Sequence, residues 1–158
     1  MGHRRERSGL LWMNEFREGG TGVGLPGALA TLPWAPAENF LGLPLEEAQF
    51  GSSAVVVLPV PYEASVSYMS GTRFGPRGIL HASRFIELYD HELDAEPYRL
   101  GVHTLPQLML HAASGEAAFG QLRSAFDSLL ETGKFVIMIG GEHSISAAAI
   151  LAHAERSD

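Results

Sequence analysis

Apolar residues along this chain fall into two dense runs and one periodic stretch. The first run, SAVVVLPVP at residues 53–61, is β-branched and lacks polar alternation, the pattern of a strand covered on both faces. The second, KFVIMIG at 134–140, has the same character and predicts a second buried strand. Between them, residues 114–134 space Phe119, Leu122, Phe126 and Leu129 three, four and three apart, which gathers them on one helix face. Ser114 suits the N-cap of that helix and Gly133 its left-handed stop. A further helix is predicted from near Pro76 to about Leu88, since proline is tolerated in a first turn. An Ala-rich helix follows from near Ser144. Strand, helix, helix, strand, helix is the alternation of an α/β protein with a parallel sheet. Two strands leave both faces and both edges of such a sheet to be covered, so the pattern reads as the front of a larger domain.

Residues 1–50 carry little periodicity and much glycine and proline, and read as an irregular N-terminal arm. A literal G-x-G-x-x-G occurs there at Gly22, Gly24 and Gly27. A dinucleotide loop needs a strand before it and a helix after it; here FREGGT precedes it and Pro26 lies inside. Trp34 and Phe40 suggest that parts of the arm pack on something.

The length of 158 residues suits about one domain. A net charge of −7 and a single lysine, Lys134, argue against a nucleic-acid footprint, which needs clustered cations. The acidic balance suits a cationic substrate through steering, although ordinary solubility charge has the same sign. The absence of cysteine excludes disulfides, thiolate zinc sites and cysteine nucleophiles. Any metal must then use His, Asp or Glu. No apolar run reaches the ~18 residues of a membrane span, and the basic start has too short an apolar stretch for a signal peptide. A cytoplasmic, membrane-free protein is expected. The lopsided run Arg4, Arg5 and Arg7 makes Met13 an alternative start.

Candidate chemistry lies at IGGEHSIS, residues 139–146. Ligands of open α/β sheets bind beyond the carboxyl ends of strands, and His143 stands four residues after Ile139 at such an end. Gly140 and Gly141 allow a sharp turn and close backbone approach, and Ser144 starts the next helix. The plainer reading is a histidine filling a strand-to-helix loop. The segment is not a nucleophile elbow, since G-x-S-x-G is absent. Nor is there an H-E-x-x-H: HELDA at His91 carries Ala95 where the second histidine would stand.

IGGEHSIS resembles the first signature of the ureohydrolase (arginase and agmatinase) family. PVPYEASVSYMSGTRFGPRGI, residues 59–79, is similar to that family's P-[FY]-[DE] … G-x-[RK]-x-G-P-x-x-I segment, and ELYDHEL, residues 87–93, to agmatinase-like members. The resemblance covers about residues 53–152. It implies a three-layer α/β/α sandwich around a parallel sheet, with residues 51–158 the N-terminal part of the catalytic domain. It implies hydrolysis of a small cationic guanidino compound, agmatine to putrescine and urea first among them, and a homo-oligomer, trimer or hexamer. It also implies a pair of Mn(II) ions. A guanidinium is a poor electrophile, and paired metals make and orient a strong nucleophile at neutral pH. By the same resemblance His143 is a manganese ligand, with Glu142 and Ser144 behind it orienting the site. Gly140 and Gly141 are structural, and Gly71, Gly75 and Pro76 match the loop that shapes the site's wall. Leu80 replaces the arginine many members carry, which puts one salt bridge or subunit contact in doubt.

The family's D-A-H-x-D and D-x-D signatures do not occur in these residues, and one histidine cannot hold a metal pair. By the resemblance, the first of them would begin soon after HAERSD, so the catalytic residues are expected beyond Asp158. The chain is therefore expected to work as the front of a longer ureohydrolase and to be inactive alone. An alternative, in which the natural chain ends at Asp158, is a non-catalytic module that binds ureohydrolase subunits. A third reading is a separate metal hydrolase built from Asp90, His91, Asp94 and His143, with Glu87 nearby. Asp90, His91 and Asp94 fall at helical spacing, but dense like charges more often form a solvated turn. His81, His103, His111 and His153 show no ligand spacing.

Overall fold

A computed structural model describes residues 38–111 and 113–156. The glycine motif at Gly22, Gly24 and Gly27, Trp34, and the alternative start at Met13 lie outside them. Asp158, beyond which the catalytic residues are expected, lies outside them as well. Among the described residues three strands form the sheet: β1 (Val55–Val60), β2 (Val102–Thr104) and β3 (Phe135–Gly140). β1 is central and all pairing is parallel. Val55 stands opposite Val102 on one side and Phe135 on the other, and the β1–β3 ladder runs on to Val60 and Gly140.

β1 explains its own composition. Leu58 and Val60 face α2 (Gly115–Glu131) and α3 (Ser146–Ala154), where Leu122, Phe126, Ala148 and Ala152 complete a core. Val57 faces the opposite layer, with Leu80 of α1 (Gly75–Ser83) and Leu43 and Ala48 of the segment before β1. A strand with helices on both faces must be apolar at every position, so it shows no alternation. Pro59 is tolerated in it because its carbonyl side faces the chain after β2, where Leu108 N donates to Pro59 O at 2.9 Å. The ladder to β2 has already ended at Thr104, so the missing N–H costs no strand pairing. Segment 39–48 is pinned by side chains: Phe40 N donates to Thr104 Oγ1 and Leu41 N to Ser83 Oγ, each at 2.9 Å.

α2 follows its spacing. Ser114 caps it, its Oγ accepting from Ala117 N at 3.2 Å, and Gly133 takes φ 69° just beyond its end, where a left-handed residue stops a helix. Leu122 and Phe126 are fully buried, while Phe119 lies at the exposed margin of that face.

Four expectations are corrected. The sheet has a third strand, β2, whose sequence Val-His-Thr has no apolar run; only its pairing with β1 makes it a strand. β3 is not buried like β1: Phe135 is 68% and Ile137 39% exposed, because among the described residues β3 pairs with β1 alone and its α1-side face is covered only near Ile139. α1 ends at Ser83 rather than near Leu88, with Ser83 Oγ turned back onto Leu80 O at 2.8 Å. The last helix is preceded by a 3₁₀ turn, His143–Ile145, so α3 proper begins at Ser146.

Candidate functional site at the carboxyl ends of β1 and β3

The strand order places the site. The chain leaves β1, crosses by α1 on one face to β2, then returns by α2 on the other face to β3, on the far side of β1. Strand order therefore reverses between β1 and β3, and ligands bind beyond the strand ends at such a switch point. The residues there are Pro61–Glu63 after β1 and Gly141–Ser144 after β3.

The two ends are stitched by main chain. Gly141 N donates to Val60 O and Glu142 N to Tyr62 O, both at 3.0 Å. This approach requires glycine at 141, since a Cβ there would lie 2.1 Å from the Tyr62 carbonyl oxygen. Gly140 ends β3 against the Ile145 side chain.

Glu142 is buried and points back into the protein. Its Oε2 accepts from Ala64 N at 2.6 Å and Ser65 N at 2.7 Å; its Oε1 accepts from Ser65 Oγ at 2.6 Å and Ser144 Oγ at 2.5 Å. Burial pushes this carboxyl up, but the bonds from Ser144, Ser65 and the backbone of Ser65 and Ala64 outweigh it and hold it at about 2. A carboxylate so occupied is a fastener for the loop after β1.

A second fastener, Glu63, is one that sequence reasoning missed as a functional residue. It accepts from Gly71 N at 2.7 Å, Thr72 Oγ1 at 3.0 Å, Arg73 N at 3.1 Å and Arg73 Nη2 at 3.1 Å. The backbone bonds from Arg73 and Gly71 dominate in bringing its carboxyl down to about 2. The signal that could have found it is the position rule applied to His143, because Glu63 stands three residues beyond the end of β1. Gly71, at φ 124°, presents its N–H to Glu63, and Gly75 and buried Pro76 open α1 directly behind the loop.

His143 and Ser144 are exposed at the floor of a groove of about 430 Å³, with Ser65, Tyr68, Met69 and Thr72 on its wall. The sequence-predicted residues His143, Glu142, Ser144 and Gly141 thus meet in one place. Asp90, His91 and Asp94 do not join them. That segment is a turn closed by an Asp90–Ala95 bridge, with Asp90 Oδ1 accepting from Glu92 N and Leu93 N and Tyr89 OH donating to Asp94. His103 Nδ1 lies 2.7 Å from Ala48 O in the sheet, and His81 and His153 stand edge-on to Phe85 and Phe126.

The family model described as "Arginase family" matches residues 53–158. The chain belongs to the arginase family. It is 40% identical over 108 residues to an N(1)-aminopropylagmatine ureohydrolase of Synechocystis, covering 65% of this chain and 35% of the relative. To an agmatinase of Bacillus anthracis it is 32% identical, covering 61% and 33%. Among solved structures it superposes on proclavaminate amidino hydrolase from Streptomyces clavuligerus with a TM-score of 0.66 at 29% identity, covering 78% of this chain and 41% of that one. The agmatine ureohydrolase of Thermoplasma volcanium, at 23% identity and a TM-score of 0.64, shares the fold. The expected layered α/β/α architecture is thus the architecture found. The chain spans about a third of the length of the curated relatives it matches.

The arginase-family chain described here does not by itself fit a metal centre. Among the described residues no group of three or more His, Asp or Glu side chains could hold an ion. At the groove the imidazole of His143 stands beside one carboxylate, and that carboxylate already accepts four hydrogen bonds. No helix among the described residues is long and apolar enough to cross a membrane.

Proposed function

We propose that this chain forms the front of a ureohydrolase that hydrolyses a small cationic guanidino compound. One observation carries the reading: His143 stands at the β1/β3 switch point, in a groove whose wall is fastened by two carboxylates. Among the described residues His143 is the one side chain offered to a manganese pair. Its companion ligands and the catalytic residues belong beyond Asp158, in the part of the relatives' length that this chain does not span. Glu142 and Ser144 hold the loop and the 3₁₀ turn that carry the groove. The whole protein is a cytoplasmic homo-oligomer, trimer or hexamer, and does not bind nucleic acid or membranes. Agmatine remains a substrate to try, but the higher identity to aminopropylagmatine ureohydrolases puts the longer-tailed compound beside it.

The test is urea release from agmatine, N(1)-aminopropylagmatine and arginine, with Mn(II) supplied, by the protein as its gene encodes it. Urea from one of the first two, lost in His143→Ala, is expected. Urea from none of them, or release indifferent to His143→Ala, would overturn the reading. The scant donor set also favours a second reading, a non-catalytic module for ureohydrolase subunits. It requires co-purification with such a subunit and stoichiometric assembly in its presence.

A further inference from the structure

The loop after β1 has fixed roots and a bare tip. Glu142 fastens Ala64 and Ser65, and Glu63 fastens Gly71, Thr72 and Arg73. Between these anchors Tyr68 is 93% and Met69 69% exposed. Among the described residues neither side chain is used by the core on either face of the sheet. Both line the groove that holds His143. Among the described residues a large aromatic ring and a thioether held in water on well-anchored backbone add nothing to the core and are available as a contact surface.

The groove also narrows what they contact. Among the described residues the one carboxylate lining it is Glu142, whose oxygens are engaged with Ala64, Ser65 and Ser144. An ammonium entering the groove finds no free anion among the described residues there. Among those residues it finds hydroxyls and, apart from His143, one aromatic face, that of Tyr68. Aromatic faces attract ammonium groups, and thioethers adapt to methylene chains. We propose that Tyr68 and Met69 grip the tail of the substrate: its methylenes lie along Met69 and its terminal ammonium over the Tyr68 ring, with the guanidinium toward His143. This rests on the ureohydrolase reading and adds to it the two residues that select the tail.

The experiment is an NMR titration of the protein as its gene encodes it, with methyl-labelled methionine and ring-labelled tyrosine, against agmatine, putrescine and methylguanidine. Agmatine and putrescine, which carry the tail, should shift Tyr68 and Met69 saturably; methylguanidine, which lacks it, should not. Tyr68→Ala should weaken agmatine binding about 2- to 5-fold, the range of an exposed cation–π contact, and Tyr68→Phe should restore it. No saturable shift at Tyr68 or Met69 overturns the proposal. So does a Tyr68→Ala variant that binds agmatine unchanged, or one that loses methylguanidine equally. Urea release scored separately keeps the two readings apart. Activity without tail contacts retains the ureohydrolase and discards the grip. Putrescine bound at Tyr68 in a protein that releases no urea does the reverse.

Discussion

Replacing Glu142 tests the claim that it fastens the loop. In Glu142→Ala four donors lose their acceptor. The hydroxyls of Ser65 and Ser144 can rotate toward water. The amides of Ala64 and Ser65 cannot rotate, but both residues are exposed enough for partial rehydration. Hydrogen bonds to a charged group contribute about 1.5–3 kcal/mol each before such compensation, so a loss of about 3 kcal/mol for the whole group is expected. Glu142→Gln should cost only about 1 kcal/mol, because its amide oxygen can face the two backbone donors while its NH₂ meets hydroxyls able to accept. Urea unfolding at neutral pH measures both, and amide exchange at Ala64 and Ser65 shows where the loss falls. A Glu142→Ala cost below about 1 kcal/mol, or a glutamine variant as weak as the alanine, would refute the fastening argument.

The same carboxylate makes a prediction in pH. Folded, it stays ionised down to about 2; unfolded, a glutamate takes up its proton near its ordinary value of about 4.3. Between those values the unfolded chain binds more protons, so stability falls as pH falls. The contribution is complete above the ordinary value and gone below about 2. Glu63 acts in the same window and direction. Glu142→Gln should therefore flatten the acid limb of a stability–pH curve and leave the curve from about pH 6 to 8 parallel to the parent. An unchanged acid limb would mean that the carboxylate is not held as described.

Other substitutions probe the frame. Gly141→Ala drives a methyl into the Tyr62 carbonyl at 2.1 Å and should cost about 3 kcal/mol or more, read as a lower urea midpoint. Phe126→Ala should cost about 3–5 kcal/mol, whereas Phe135→Ala, on the bare part of β3, should stay within about 0.5 kcal/mol. Equal costs for the pair would contradict the assignment of β3 as a half-covered edge. Ser114→Ala should remove about 1 kcal/mol with the cap of α2.

What could be read from residues alone divides along a physical line. α2 was legible because its signals are local: the spacing of Leu122 and Phe126, the cap at Ser114 and the stop at Gly133 all act within one helix. β1 and β3 read alike because composition records apolarity and not neighbours; only the order β2-β1-β3 makes one central and the other an edge. β2 was invisible because three residues containing a histidine and a threonine carry no pattern of their own. The position of His143 followed from a rule about strand ends. The role of Glu142 could not, because Ala64 and Ser65 lie almost 80 positions earlier in the chain. A short motif can announce that a carboxylate matters, but its partners are fixed by which strand lies beside which. Here parallel pairing of β1 with β3 sets Gly141 and Glu142 against Val60 and Tyr62. That register delivers the carboxylate to the loop and leaves His143 on the groove side of the same turn. Any change that slips the β1–β3 register by one residue should therefore undo the loop and the histidine's placement together.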